Sequence, residues 1–134
     1  IGVSAGFMAK QSLDFTATGS TAQKYNYLKL SEEAYLRAIE LDPKYARALY
    51  GLGVLYVFDL DEPAKAIPYL ETLLDIETKN VDGMFVLARA YYTTYEFEKA
   101  VDMYDRIIKT TTSAEKKAQA EANKRQVLET AYEG

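Results

Sequence analysis

The sequence predicts an all-α chain: a solenoid of antiparallel helix pairs, about three of them, closed by a C-terminal helix. Two signatures recur in register at a period near 35 residues. Within each signature the apolar residues are spaced three and four apart, which makes one stripe along a helix. The breaks between signatures hold residues that end or start helices.

The first signature, Leu49-x2-Leu52-Gly53-x2-Tyr56, returns as Met84-x2-Leu87-Ala88-x2-Tyr91, shifted by 35 at all four positions. The second, Ala66-x3-Leu70-x2-Leu73, returns as Ala100-x3-Tyr104-x2-Ile107, shifted by 34, and stands upstream as Ser31-x3-Tyr35-x2-Ala38. Pro43, Thr78 and Thr112 follow each copy of the second signature five residues on. The one-residue difference is expected in the turn between the two signatures, where an insertion costs least. Gly53, Ala88, Ala66 and Ala100 mark points where a second helix approaches closely.

A helix must precede the Tyr35 helix, in one of two registers, Ile1-Gly2-x2-Ala5 or Ala5-Gly6-x2-Ala9, with Thr16 to Thr21 as the turn. The first register is preferred. It begins mid-helix and the chain lacks an initial Met, so residues are expected to have been removed before Ile1. The Tyr35 helix stops at Asp42-Pro43, because Pro disfavours helical geometry in the residue before it. Pro63 belongs in a first turn, where its missing N–H costs nothing. Pro68 falls inside the same helix and predicts a local kink. Asn80 is placed to cap a helix starting at Val81. Thr112-Ser-Ala-Glu115 fits a capping box for a last helix over 113–133. Its Lys116, Lys117, Glu121, Lys124, Arg125 and Glu129 give the polar outer face that must end a stack. The boundaries are 1–43 for an irregular first repeat, 44–78 and 79–112 for the next two, and 113–134 for the cap.

Composition narrows the chemistry. The 134 residues contain no Cys and no His. Disulfides, thiolate metal sites and thiol nucleophiles are excluded, and so are His-based triads and His–metal sites. A cysteine-free chain tolerates any redox poise, which leaves the compartment open. The net charge is −4, from 16 basic and 20 acidic side chains. An acidic chain is a poor partner for nucleic acid or anionic lipid. No apolar stretch of about 18 residues is present, so no segment inserts across a membrane as a helix. Asp59, Asp61 and Glu62 cluster in a turn but lack calcium-loop spacing, and are read as helix caps. No metal or cofactor is expected.

These residues resemble the tetratricopeptide repeat, whose pattern is an aromatic, two residues, Leu-Gly, two residues, Tyr, then Ala-x3-aromatic, Ala and Pro. Leu49, Leu52, Gly53, Tyr56, Ala66 and Leu70 match one copy; Met84, Leu87, Ala88, Tyr91, Ala100 and Tyr104 match another. Ala34-Tyr35-Leu-Arg-Ala38-Ile-Glu-Leu-Asp-Pro43 is the strongest single match. Leu or Met replaces the aromatic, and Thr78 and Thr112 replace Pro. The pentatricopeptide repeat, an RNA reader of similar length, is the nearest rival. The acidic balance and the Ala-Ile-Glu-Leu-Asp-Pro ending argue against it.

The resemblance implies a right-handed superhelix in which the first helix of each pair lines a concave groove. Carried onto this chain, the groove positions are Arg47, Tyr50, Val54, Val57 and Phe58 in one repeat. In the next they are Asp82, Phe85, Arg89, Tyr92 and Thr93, and on the last helix Lys116, Gln119, Asn123 and Gln126. It implies a non-catalytic scaffold that binds a peptide or a partner helix, since rigid aromatics beside Arg dominate binding hot spots. Some relatives grip a chaperone's terminal carboxylate with a Lys/Asn/Arg clamp. Here those positions hold Tyr50, Val54 and Asp82, so no such binding is expected. Tyr35, Tyr56, Tyr91 and Tyr104 are read as packing between helices. The alternative function is self-assembly through exposed terminal helices, at Ile1, Val3 and Phe7. An enzyme is disfavoured, because no two carboxylates stand out as a catalytic pair.

Overall fold

The computed structural model describes residues 17–133, and their side chains from 22 to 132. Among the described residues there are six helices and no strand. They are α1 (Ala17–Leu41), α2 (Ala46–Val54, continued by a π-helical turn, Leu55–Asp59), α3 (Pro63–Ile76), α4 (Val81–Thr93), α5 (Phe97–Thr110) and α6 (Ala114–Glu133). Each helix packs on its neighbours in sequence, and α2 also touches α4. That is the contact pattern of stacked hairpins, a helical-repeat solenoid.

The two signatures form the core. Leu49, Leu52, Met84, Leu87, Leu70, Leu73 and Ile107 are all buried to within 1% of full burial. The small residues lie where helices meet. A Cβ on Gly53 would overlap the Leu70 side chain, so α2 and α3 touch closely enough that any larger residue there must displace Leu70. Ser31, Ala66 and Ala100 hold the same position in α1, α3 and α5, and all three are buried. The Ser31 hydroxyl stays satisfied there by donating to the Tyr27 carbonyl at 3.0 Å. On α1, the Tyr35 ring fills the space that a Cβ on Gly51 would take. Tyr56, Tyr91 and Tyr104 are buried, and Tyr35 is half-buried.

The helix ends follow local chemistry. Asn80 Oδ1 accepts from the Gly83 amide at 2.9 Å and caps α4. Pro63 stands in the first turn of α3. That helix continues as one element through Pro68, and Pro68 and Ala64, whose carbonyl loses its amide partner, are both exposed. Three expectations are corrected. The cap of α6 is Ser113, one residue later than the box placed it. Its Oγ accepts from the Lys116 amide at 3.2 Å, so Lys116 and not Glu115 occupies the third position. The turn expected over 16–21 is instead helical from Ala17 onward. A Gly and a few Ser/Thr cost about 1 kcal/mol or less each in a helix that is already nucleated. Glu62 precedes α3 without a side-chain cap bond and pairs with Lys65 at 2.7 Å instead. The two candidate helices before Ala17, and Ile1, Val3 and Phe7, lie outside the described residues.

The extra residue of the second repeat is the most informative departure. Both turns between paired helices are three residues long, 60–62 and 94–96, and both hold a residue with positive φ at the centre, Asp61 (53°) and Tyr95 (66°). The insertion is therefore not in the turn. The Glu96 amide bonds the Tyr91 carbonyl, five residues back, whereas the Glu62 amide bonds the Tyr56 carbonyl, six back. The additional residue is absorbed between them as the π turn, closed by the Leu60 amide on the Leu55 carbonyl at 2.8 Å. Such single π turns are a known way for a helix to take in one residue.

Carboxylates tie neighbouring pairs together. Tyr56 donates to Glu32 on α1 at 2.6 Å, and Tyr91 donates to Glu71 on α3 at 2.5 Å. Burial raises both phenol pKa values, and the carboxylate partners raise them further. Glu32 is itself buried and also accepts from Lys29 at 2.7 Å. Burial favours its neutral form, but the bonds from Lys29 and Tyr56 and the lysine charge outweigh that and hold the carboxyl below its ordinary value. A depressed pKa contributes stability above the ordinary value, about 4.3, that disappears as pH falls through the folded one.

Two predictions follow from this packing. Gly53→Val forces Leu70 aside and lowers stability by about 1–3 kcal/mol, measured by chemical unfolding. Glu32→Gln lowers the midpoint of thermal unfolding at neutral pH, and the gap from wild type narrows as pH falls below the ordinary glutamate value of about 4.3. A gap independent of pH contradicts the role given to the Glu32 charge.

Candidate functional site

The first helices of the pairs, α2 and α4, and the closing helix α6 present the side chains that surround one recess. Its volume is about 220 Å³, and its lining includes Phe58, Phe85, Arg89, Tyr92, Asn123 and Gln126, with Tyr104 from α5. Phe85 packs edge-on against Tyr104, with centroids 6.3 Å apart. The buried Tyr104 phenol is pushed up by desolvation, partly offset by its hydrogen bond with Asn123 and by the Arg89 charge. Tyr92 lies 5.9 Å from Phe97, and its hydroxyl meets Thr130 Oγ1 at 3.1 Å, tying α4 to α6. Arg89 is exposed, and no carboxylate lines the recess around it.

The π turn shapes this site. Phe58, in that turn, is 58% exposed and forms the α2 wall of the recess. Val57, beside it, is turned into the core. A groove position read in straight α-helical phase thus becomes a core residue, because the π turn rotates the last turn of α2.

The remaining sequence-derived positions distribute elsewhere. Arg47, Tyr50 and Asp82 line a shallower recess with Glu77 and Asn80. Burial raises the Tyr50 pKa, and the nearby Asp82 charge adds to it. Lys116 reaches Asp82 at 3.5 Å, beside the turn before α6. Gln119 bonds Asn123 at 2.8 Å, Thr93 bonds the Arg89 carbonyl at 2.9 Å, and Val54 is half-buried. Tyr104, Val86 and Val127 were not among the predicted groove residues, yet they line the recess. Tyr104 belongs to a core signature, which hid its second role. Among the described residues no group of three or more acidic side chains is arranged to hold a metal, and no helix is long and apolar enough to cross a membrane.

Two family models agree with this architecture. One described as TPR repeat matches residues 31–57, and one described as Tetratricopeptide repeat matches residues 57–122. The matches together take in both signatures and every helix from the middle of α1 into α6. The chain belongs to the tetratricopeptide repeat family. A TPR repeat-containing protein of Borreliella burgdorferi is 25% identical over 91 residues, a match that covers 68% of this chain and 40% of the relative. The chain thus spans less than half the length of that relative. Tetratricopeptide repeats generally mediate protein–protein interaction, and proteins built from them are typically non-catalytic scaffolds.

The Tyr92–Thr130 bond holds the distal half of α6 against the repeats. Tyr92→Phe is expected to lower stability by about 0.5–1.5 kcal/mol. It should also speed amide exchange in α6 around Thr130 while leaving α2 and α3 unchanged.

Proposed function

We propose that this tetratricopeptide domain is a non-catalytic scaffold whose recess between α2, α4 and α6 binds a peptide or partner helix. The ligand places an apolar side chain against Phe58, Phe85 and Tyr92, and a carboxylate against Arg89. The observation that carries this reading is an exposed guanidinium ringed by aromatics and amides, with no acidic side chain in the lining. Rigid aromatics lose little conformational freedom on binding, and Arg pairs with carboxylates in two-point geometry. The amides of Asn123 and Gln126 add donors and acceptors at the rim. Tyr50, Val54 and Asp82 leave a lysine–asparagine clamp unbuilt, so the carboxylate is read at Arg89 and the selectivity comes from the neighbouring aromatics.

Selection from a random peptide library, followed by calorimetric titration, tests the reading. Selected peptides should carry Asp or Glu near a bulky apolar residue. Arg89→Ala and Phe58→Ala should each weaken them about tenfold or more, a loss typical of hot-spot residues. Peptides that bind both variants as tightly as wild type would place recognition on another face.

A further inference from the structure

Among the described residues three tyrosines are buried, Tyr56, Tyr91 and Tyr104. Two of them give their hydroxyl proton to a carboxylate of the chain: Tyr56 donates to Glu32 at 2.6 Å and Tyr91 to Glu71 at 2.5 Å. The third, Tyr104, is 5% exposed, and it donates to no described residue. It lines the α2–α4–α6 recess together with Arg89 and Asn123, the two residues that act on its hydroxyl. The Asn123 amide is fixed in orientation. Gln119 Nε2 donates to Asn123 Oδ1 at 2.8 Å, so the group left for the phenol is the Asn123 NH2, a donor. Burial pushes the Tyr104 phenol up, and the Asn123 amide and the Arg89 charge partly offset the rise, as a donor does and an acceptor would not. The phenol oxygen therefore accepts from Asn123, and its own proton stays free to face the recess.

Buried hydroxyls in folded proteins nearly always find an acceptor, so one that lacks it inside the chain is held for something outside. Arg89 is the second unpaired donor of the recess. It is exposed, it has no ion-pair partner among the described residues, and no acidic side chain lines the recess beside it. Two donors converging where no acceptor is present fit a carboxylate, the same group that the other two buried tyrosines hold within the chain. Resting on the reading of the recess as the binding site, we infer that Tyr104 is a ligand-binding residue, its O–H and the Arg89 guanidinium together holding the two oxygens of an Asp or Glu side chain of the partner. Phe85, Val86 and Val127 line the same recess, and apolar surroundings strengthen hydrogen bonds to a charge. The pair of donors also selects acid over amide. An Asn or Gln side chain offers one acceptor and turns its NH2 toward the other donor.

Acidic peptides selected on the wild-type chain serve as probes, each made with an amidated C-terminus and paired with its Asn or Gln counterpart. Wild type should bind the acidic member about tenfold or more tightly than the amide. Tyr104→Phe keeps the ring that packs on Phe85. It should weaken the acidic member about tenfold and leave the amide member within about twofold. Without ligand its thermal unfolding midpoint should match wild type, whereas Tyr91→Phe should lower it, because Tyr91 loses a bond within the chain. An acid preference lost in Arg89→Ala but intact in Tyr104→Phe overturns the role of Tyr104 and leaves the recess as the binding site. Equal weakening of both peptides by Tyr104→Phe overturns it too, as an effect on structure alone. A preference unchanged in both variants, or a selection without acidic peptides, removes the recess and the role of Tyr104 together.

Discussion

The structure depends on helices approaching closely at positions that carry almost no side chain. Gly53 is the tightest, with Leu70 of α3 pressed into the space a side chain would take. Ser31, Ala66 and Ala100, small residues at one position of successive second helices, are likewise buried. Dispersion falls off steeply with separation, so a fraction of an ångström at these points decides how much of the leucine stripe is in contact. The close approach also sets register. With Gly53 under Leu70, and Tyr56 bonded to Glu32, α2 cannot slide along its neighbours.

That constraint explains where the inserted residue went. Tyr56 is held from one side, and the three-residue turn with Asp61 at positive φ is held from the other, in the same form as the turn at Tyr95. Between two fixed points, a helix with one residue too many widens. The π turn over Leu55–Asp59 is the result, and it converts Val57 to core while Phe58 reaches the recess. A packing requirement at the core thus alters the surface that a partner would meet.

Much of this was legible in the chain. The recurrence of Leu49-x2-Leu52-Gly53-x2-Tyr56 is a direct trace of helix periodicity and close approach, and every member is buried. Asn80 announced its cap, since a short side chain before an apolar helix has one evident use. Phe58, Phe85, Arg89, Tyr92 and Asn123 were read as facing one groove, and the structure gathers them around one recess. The errors came from places where tertiary forces outweigh local ones. The shift of 34 against 35 signalled an insertion, but loop economy misplaced it, because the core pins were not visible in sequence. Thr112 and Ser113 are chemically interchangeable caps, so the box slipped by one. The Glu62–Lys65–Tyr56 arrangement and its copy at Glu96, Lys99 and Tyr91 also escaped notice. Charged residues over aromatic rings leave no periodic apolar mark.

Core contacts hold the register of α2 and push its surplus residue toward the recess. A crystal structure of the chain with Phe58 deleted tests it most directly. The account predicts that residues 55 to 59 become ordinary α-helix, that Gly53 stays beneath Leu70 and Tyr56 on Glu32, and that the recess loses its α2 wall. A one-residue slide of α2 that carries Gly53 away from Leu70, with the π turn kept, would contradict it.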